Sequence, residues 1–166
     1  MAKAVRVHRV GGPETLVYEG VELAAPGPGE IRIRQHAVGL NFIDVYYRTG
    51  LYKAPGLPFI AGNEASGEVI GVGPGVTHFH PGDRVAYYHN LGAYATERNI
   101  PWEKLVKLPD HITYEQGAVL MLKGLRSGTS CTRRSRSSRI IACWSTPPPA
   151  ASAFWRASGR ARSAPM

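Results

Sequence analysis

The chain has 166 residues, of which 43% are hydrophobic, and a formal net charge of +8. The charge is uneven: residues 1–125 carry 12 basic and 12 acidic side chains, and the excess comes from eight arginines in residues 126–166. This distribution excludes a basic nucleic-acid-binding surface as the purpose of the first 125 residues. Because no apolar run approaches ~20 residues and the N-terminus lacks the apolar stretch of a signal peptide, we expect a cytoplasmic protein without a membrane partner.

From Lys3 onwards the sequence predicts short strands separated by turns rich in glycine and proline. The clearest alternation is in EIRIRQHAV, where Ile31 and Ile33 alternate with arginines. Other stretches rich in β-branched and aromatic residues are KAVRVHRV, SGEVIGVG, DRVAYY, GAYATERNI and KLVKL. The turns between them include GGPE, APGPGE, HPGD and KLPD. Many short strands with such turns predict a mainly β fold, a small and partly open β-barrel.

Two segments predict helices. NFIDVYYRTGLY indicates a short helical turn that leads into a loop. TYEQGAVLMLKGL indicates a helix that begins at Thr113, because Gln116 follows at the spacing of a capping box. The periodic pattern stops near Leu125, which predicts a domain over residues 1–125 and a tail over residues 126–166.

Two short motifs admit a functional and a structural interpretation. The glycines of GVGPGV (residues 71–76) resemble a dinucleotide fingerprint, but the third glycine is out of place and no helix is predicted after it. We therefore favour a hairpin turn. His78 and His80 could be two metal ligands on one face of a strand, but no third ligand lies nearby, so we favour a solvated loop. Both cysteines lie beyond residue 125, which leaves no CxxC motif or disulfide framework before it.

A resemblance to a known family rests on AVGLNFIDVYYRTGLYKAPGLPFIAGNEASGEVIGVGPGV, PGDRVAYY, GAYATE, LVKLPD and AVLMLKGL, which together span residues 1–125 almost continuously. This part of the chain resembles the zinc-independent quinone oxidoreductases, the zeta-crystallin-like branch of the medium-chain dehydrogenase/reductase superfamily. The resemblance implies that residues 1–125 form the GroES-like domain, which is one wall of the active-site cleft. It also implies NADPH as cofactor, bound mainly by a Rossmann domain that follows, and homodimers of the full-length protein.

The expected absence of zinc has a chemical reason. The zinc alcohol dehydrogenases that share this fold have a cysteine and a histidine where this chain has Asn41 and Asn63. A neutral amide is a poor zinc ligand compared with a thiolate or an imidazole. Only YYHNLGAYA stands where those enzymes have their cysteine-rich lobe. Without a Lewis acid, the fitting small-molecule substrate is a quinone or an activated enone, which accepts hydride readily.

The resemblance also assigns roles to individual residues. It places three side chains against the substrate as catalytic residues, where they can hydrogen-bond an oxygen that gains negative charge: Asn41, Tyr46 and Tyr52. It places five against the nicotinamide and its ribose: Asn41, Phe42, Ile43, Asp44 and Tyr46. No residue is assigned to a metal. The alternative is that the tyrosines only pack at the edge of the barrel, and for Tyr47 we favour that alternative.

Residues 126–166 do not continue the resemblance. The family enters a strand and an AAGGVG-type glycine loop, whereas this chain has an arginine-, serine- and proline-rich sequence without leucine or valine. Codons compatible with residues 144–165, read one base out of register, can encode VHAAAGGVGLLACQWARALGA. We therefore interpret the tail as a frameshift product, with the break between Leu125 and Gly128, so that the Rossmann domain is missing. With little apolar surface to offset its ordering entropy, the tail is expected to be disordered.

These observations predict a truncated NADPH:quinone oxidoreductase that is inactive alone. The alternatives are a non-catalytic interaction module, in which the barrel binds partner subunits, and a pseudogene product. Eight arginines would bind nucleic acid weakly and in a salt-sensitive way whatever their origin, so we expect no specific nucleic-acid partner.

Overall fold

The structure is a computed structural model that describes the backbone of residues 1–132 and the side chains of residues 1–124. Within this part of the chain the elements follow in the order β1 (Ala2–Val7), β2 (Leu16–Val21), β3 (Glu30–Gly39), α1 (Phe42–Thr49), β4 (Phe59–Ile60), β5 (Glu64–Val72), β6 (Arg84–Tyr88), β7 (Glu97–Pro101), β8 (Leu105–Lys107) and α2 (Tyr114–Thr132). Short 3-10 turns at Pro13–Thr15 and Trp102–Lys104 precede β2 and β8.

The strands form two antiparallel sheets. The larger sheet has the order β7-β3-β5-β6-β8, and the smaller has the order β2-β1-β4. A single bridge between Ala4 and Ala95 connects β1 to the segment before β7. Neither sheet closes on itself, so the predicted mainly β fold with a partly open barrel is confirmed.

The main core lies on one face of the larger sheet. Ile31 and Ile33 of β3 are fully buried, as their alternation predicts, and they pack with Val69 of β5, Val85 of β6 and Ile100 of β7. A smaller cluster is formed by Val7, Phe59 and Ala61, at the junction of β1, β4 and the segment that leads into β5. The two clusters fix the positions of β3, β4 and β5, which flank α1 in the chain.

Some local predictions need correction. GAYATERNI was expected to be one strand, but β7 begins only at Glu97, and the residues before it form bends with one bridge at Ala95. HFH lies in a loop, as predicted, but its Phe79 is buried in the main core while His78 and His80 are exposed. The phenylalanine therefore anchors this loop to the domain, which the expectation of a solvated loop overlooked.

Helix α2 begins as predicted and ends later than predicted. Thr113 N–H donates to Oε1 of Gln116 (2.9 Å) and Gln116 N–H donates to Oγ1 of Thr113 (3.2 Å), a reciprocal capping box. The helical backbone continues to Thr132, beyond the expected end near Leu125, because no proline interrupts it there. Over residues 126–132 the described backbone is the last part of this helix.

By its contacts the chain separates into residues 1–123 and residues 124–166. The described part of the second unit is the helical backbone of residues 124–132. The expectations for the rest of the tail, including the shifted reading frame, lie outside the described residues and stay predictions. In the described part of the chain, neither helix has the length and apolar composition needed to cross a membrane.

Candidate active site

The site begins at the N-terminus of α1, where Asn41 is the N-cap residue. Its backbone is extended (φ −135°, ψ 149°), so that the helix starts at Phe42. The backbone N–H of Asn41 donates to Oδ2 of Asp44 (3.0 Å), and the Asn41 side chain faces the Asp44 N–H, which makes the pair a capping box. At the other end, Gly50 ends the helix in the left-handed conformation at φ 83°. Both ends of the short helix are therefore defined by its sequence.

The Asp44 carboxylate joins α1 to two other segments. Asp44 is only 7% exposed. Besides the Asn41 N–H, its Oδ2 accepts from the Tyr94 hydroxyl (2.8 Å), and its Oδ1 accepts from Nδ2 of Asn63 (2.7 Å). Burial, and then the hydrogen bond to Asp44, raise the pKa of the Tyr94 hydroxyl, which stays protonated at neutral pH. The carboxylate thus holds the helix against the residues on both sides of it.

A second buried carboxylate, Glu64, holds the Asn41 side chain. Glu64 is 1% exposed at the first position of β5. Its Oε2 accepts from Nδ2 of Asn41 (2.9 Å), and its Oε1 accepts from the backbone N–H of Leu122 in α2 (2.8 Å). Burial raises the pKa of Glu64, while the Leu122 N–H, the Asn41 amide and the positive charge of Lys123 oppose that rise. The amide of Asn41 is thereby fixed from two sides, by Glu64 and by the start of its own helix.

A glycine makes room for this arrangement. A Cβ at Gly39, the last residue of β3, would lie 2.3 Å from the carbonyl oxygen of Ala118 in α2 and 2.9 Å from Oε2 of Glu64. Any side chain at position 39 would therefore displace either the helix or the carboxylate. The close approach of β3 and α2 places Glu64 between them.

Three tyrosines form an aromatic cluster at the other end of α1. The ring of Tyr52 packs edge-on against Tyr46 (centroids 5.3 Å apart) and against Tyr47 (5.9 Å). The backbone N–H of Tyr52 also donates to the carbonyl oxygen of Tyr46 (3.0 Å), which holds the loop after α1 close to the helix. Tyr46 and Tyr52 are exposed, whereas Tyr47 is half-buried against Val7, Phe59 and Ala61. Tyr47 accordingly packs, as we favoured from the sequence.

By their contacts, most of the site residues expected from the sequence fall into two groups, one at each end of α1. Asn41 and Asp44 belong to the hydrogen-bonded group at its N-terminus, and Tyr46 belongs with Tyr52 to the aromatic group. Phe42 is 81% exposed and lies one helical turn from Tyr46, so both rings are on the outer face of α1. Ile43 is half-buried. Of these residues, only Asp44 is buried, with its side chain directed into the domain.

The chemistry of the amides bears on metal binding. Asn41 donates through Nδ2 to Glu64, and Asn63 donates through Nδ2 to Asp44. The Asn41 carbonyl oxygen already faces the Asp44 N–H, and an amide oxygen is a poor zinc ligand compared with a thiolate or an imidazole. Among the side chains that the structure describes, no three or more histidines, cysteines, aspartates or glutamates are grouped so that they could hold a metal ion. The amides of Asn41 and Asn63 do not supply the thiolate and imidazole that zinc sites take.

Comparison with known proteins identifies the class. Residues 27–110 match the family described as the alcohol dehydrogenase GroES-like domain, and the chain belongs to this family. Several relatives of the chain are quinone oxidoreductases. The quinone oxidoreductase of Pseudomonas aeruginosa is 56% identical over 126 residues, which are 75% of this chain and 39% of that protein. The resemblance to the quinone oxidoreductases of the medium-chain dehydrogenase/reductase superfamily is thereby confirmed for the N-terminal part of the chain.

Two solved structures are similar in the same region. A quinone oxidoreductase of Pseudomonas syringae superimposes with a TM-score of 0.77 at 48% identity, over 83% of this chain and 43% of that one. The quinone oxidoreductase of Escherichia coli complexed with NADPH superimposes with a TM-score of 0.73 at 45% identity, over 75% and 38%. The chain therefore spans about two fifths of the length of the proteins that it matches.

The sequence interpretation missed Glu64 and Tyr94. Glu64 directly follows Asn63 in GNEASG, a carboxylate among small residues at the start of a buried strand. A charged residue in that setting is rarely buried without partners, and this signal could have marked it. Tyr94 carries no comparable signal, because its contact with Asp44 joins residues 50 positions apart in the sequence.

Proposed function

We propose that this domain is the substrate-facing wall of an NADPH-dependent quinone reductase that works without zinc. The observation that carries the proposal is the Asn41 amide, held by Glu64 at the start of α1, on the same helix as exposed Phe42 and Tyr46. The similarity to quinone oxidoreductases, one of them complexed with NADPH, supports it. In this proposal the Asn41 amide donates a hydrogen bond to a quinone oxygen, and the exposed rings of Phe42 and Tyr46 contact the quinone ring.

The described residues fit the nicotinamide end of the cofactor. Phe42 and Tyr46 offer an exposed aromatic face on α1, and Nδ2 of Asn41 has a second hydrogen beyond the one donated to Glu64. NADPH, when bound, supplies the hydride. The bound nicotinamide and its ribose would be contacted directly by four residues: Asn41, Phe42, Ile43 and Tyr46. Asp44 would act by holding the start of α1 in place, because its oxygens are occupied by protein donors.

The polar groups on α1 and the following loop suit a quinone. A quinone carbonyl oxygen gains negative charge when the ring accepts hydride, and hydrogen-bond donors placed at that oxygen lower the barrier. The Asn41 amide and the hydroxyls of Tyr46 and Tyr52 are the donors that we assign to this role. Water can then protonate the oxygen to complete the hydroquinone, so no dedicated acid is needed among the described residues.

A ligand titration of the 166-residue chain tests the proposal. Backbone amide resonances would be followed by NMR while a water-soluble benzoquinone and NADPH are added separately. We expect the resonances of residues 41–52 to shift with either ligand. The resonances of β2, at the edge of the smaller sheet, should stay in place. Shifts elsewhere with none in residues 41–52 would overturn the assignment of the site.

The proposal includes the expectation that the chain alone reduces quinones negligibly. Residues 71 and 72 end β5 and residues 73–76 form the turn after it, and in the described residues β6 follows with no intervening helix, so this stretch is not a pyrophosphate loop. Steady NADPH oxidation by purified chain with a quinone would contradict this part. Sequencing the gene across the codons for Leu125 to Thr129 tests the shifted reading frame separately.

The second candidate is an interaction module without catalysis. Exposed apolar side chains in and next to α1 in the sequence favour it, because exposed apolar surface marks contact sites: Leu40 is 84% exposed, Phe42 81% and Leu51 68%. Gel filtration of the chain with and without a full-length quinone oxidoreductase discriminates the two. A stable complex together with no quinone binding would favour the module.

A further inference from the structure

We propose that Glu64 is a positioning residue that couples the orientation of the Asn41 amide to the seating of α2 on the barrel. This inference rests on the proposed function for its consequence, because it matters to catalysis only if Asn41 faces the quinone or the cofactor. The coupling itself rests on geometry. Nothing in the resemblance or in the comparisons assigns a role to Glu64.

The two oxygens of Glu64 are divided between two elements. Oε2 is 2.9 Å from Nδ2 of Asn41, beside α1, and Oε1 is 2.8 Å from the backbone nitrogen of Leu122, inside α2. A carboxylate at the first residue of β5 thus spans both helices. Since Glu64 is 1% exposed, the side chain cannot turn to solvent without moving one of its neighbours.

The hydrogen bond from the Leu122 N–H to Glu64 adds a polar contact to the close packing of α2 on β3. A backbone N–H in the interior of a helix ordinarily donates to the carbonyl four residues earlier, which for Leu122 is that of Ala118. The Ala118 oxygen is the atom that a Cβ at Gly39 would approach to 2.3 Å. The helix therefore lies against β3 at the turn where Glu64 reaches its backbone. A shift of α2 along or away from the strand changes the distance from Oε1 to Leu122.

The chemistry of the carboxylate defines the direction of the Asn41 amide. An ionised carboxylate only accepts hydrogen bonds, so the amide must present its nitrogen to Glu64. The other end of the amide then faces the Asp44 N–H at the start of α1. One Nδ2 hydrogen is left for a ligand. With the carboxylate displaced, the amide loses one of the two contacts that orient it.

A charged side chain at the buried position 64 lowers the stability of the fold, whereas an apolar residue there would not. Burial of a carboxylate is unfavourable unless hydrogen bonds compensate it, and burial raises the pKa of Glu64 in spite of the Leu122 N–H, the Asn41 amide and the Met121 N–H, which oppose the rise. The charged group that opposes this from α2 is Lys123, and the carboxylate facing Asn41 from α1 is Asp44. A role in orienting Asn41 accounts for a carboxylate at this position, whereas packing alone does not.

The test compares two substitutions on β5 in the isotope-labelled 166-residue chain. Glu64→Gln is nearly isosteric but offers one acceptor oxygen in place of two, so either Asn41 or Leu122 loses its partner. Ser66→Ala is the second variant: Ser66 is fully buried on the same strand, and its hydroxyl donates to the Tyr114 carbonyl in the first turn of α2. It loosens α2 and leaves the carboxylate of Glu64 in place.

We expect Glu64→Gln to shift the Nδ2 resonances of Asn41 or to accelerate exchange of the Leu122 amide by about tenfold. We expect Ser66→Ala to shift the Asn41 resonances in the parent chain and to add no further shift in Glu64→Gln, because a change at α2 reaches Asn41 through Glu64. If Glu64→Gln changes neither signal, or if Ser66→Ala has the same effect on Asn41 with and without Glu64, the coupling is overturned. These readouts need no reductase activity.

A pH titration of the unsubstituted chain keeps the inference testable if Glu64→Gln does not fold. The Cδ resonance of Glu64 and the Nδ2 resonances of Asn41 should change with one midpoint, and independent midpoints would overturn the coupling.

Benzoquinone binding then separates the two proposals. Coupling with no binding contradicts the proposed function alone. Equal quinone affinity in Glu64→Gln and the parent contradicts the positioning role alone, for which we expect about a fivefold loss.

Discussion

Nδ2 of Asn63 lies 2.7 Å from Oδ1 of Asp44, a buried contact between the segment that enters β5 and helix α1. In the next residue, Glu64, the carboxylate reaches the side chain of Asn41 at the start of the same helix. Two adjacent residues, Asn63 just before β5 and Glu64 at its start, therefore hold α1 at its first turn. The proposed cleft residues are on a short helix whose position is defined by side-chain hydrogen bonds as well as by packing.

The Asp44 carboxylate should be essential for the stability of this arrangement. Asp44→Asn replaces one acceptor oxygen by an amide that faces donors, either Asn63 or Tyr94, so that a buried donor loses its partner. We expect a loss of about 2–3 kcal/mol in the free energy of unfolding, measured by urea denaturation. Asp110→Asn, at an exposed position before α2, is the control and should change the value by less than about 0.5 kcal/mol. Equal effects of the two substitutions would contradict the role of Asp44.

The space at Gly39 should be needed for the seating of α2. Gly39→Ala places a Cβ 2.3 Å from the Ala118 carbonyl, which must move, whereas Gly56→Ala meets no atom within 4 Å. We expect Gly39→Ala to cost about 1–3 kcal/mol and Gly56→Ala to be neutral within about 0.5 kcal/mol, by the same denaturation assay. If Gly39→Ala is as harmless as Gly56→Ala, α2 does not pack against β3 as described.

Two of the eight tyrosines should resist ionisation. Burial raises the pKa of Tyr87 and of Tyr94, and in Tyr94 the Asp44 carboxylate raises it further. Because the folded pKa values lie above the unfolded ones, the protonated hydroxyls favour the folded state below about pH 10, and this contribution is lost as the pH rises through the folded values. Absorbance at 295 nm should show these two titrating last, or only on unfolding. Tyr94→Phe should remove one of them, and an unchanged late phase would contradict the assignment.

The hydroxyls of Tyr46 and Tyr52 should contribute to quinone binding if both face the substrate. We expect Tyr46→Phe and Tyr52→Phe each to weaken benzoquinone binding about fivefold, which corresponds to about 1 kcal/mol for one hydrogen bond, with the ring contact retained. Tyr18→Phe, at an exposed position in β2, is the matched control and should bind like the parent. Unchanged affinity in both α1-side variants would show that these tyrosines only pack.

The sequence predicts the architecture well where the pattern is local. Alternation in β3, the capping box of Thr113 and Gln116, and the glycine- and proline-rich turns depend on neighbouring residues, and the structure confirms them. The late start of β7 and the burial of Phe79 depend on contacts across the barrel, and the local pattern did not indicate them. Strand β4 has only two residues, too few to show an alternation.

The same distinction applies to the site. A helix that begins after Asn41 could be expected from its sequence, and the resemblance supplied the expected roles. The carboxylate network could not be expected from the sequence. Three of its contacts join residues more than 20 positions apart: Asp44–Tyr94, Asn41–Glu64 and Glu64–Leu122. Such contacts follow from the pairing of β3 with β5, which must be known before the partners can be named.

The residues at the start of β5 also limit where the chain can change in length. Asn63 bonds to α1, Glu64 to Asn41 and α2, and Ser66 to the start of α2, so each position in this stretch has an assigned direction. One inserted residue would exchange the two faces of the strand and separate both carboxylate contacts at once. The exposed loop residues 55–57, which follow Tyr52 and Ala54, have no such alternation to preserve. Insertions and deletions that accumulate among related domains should therefore fall in that loop and spare residues 62–66.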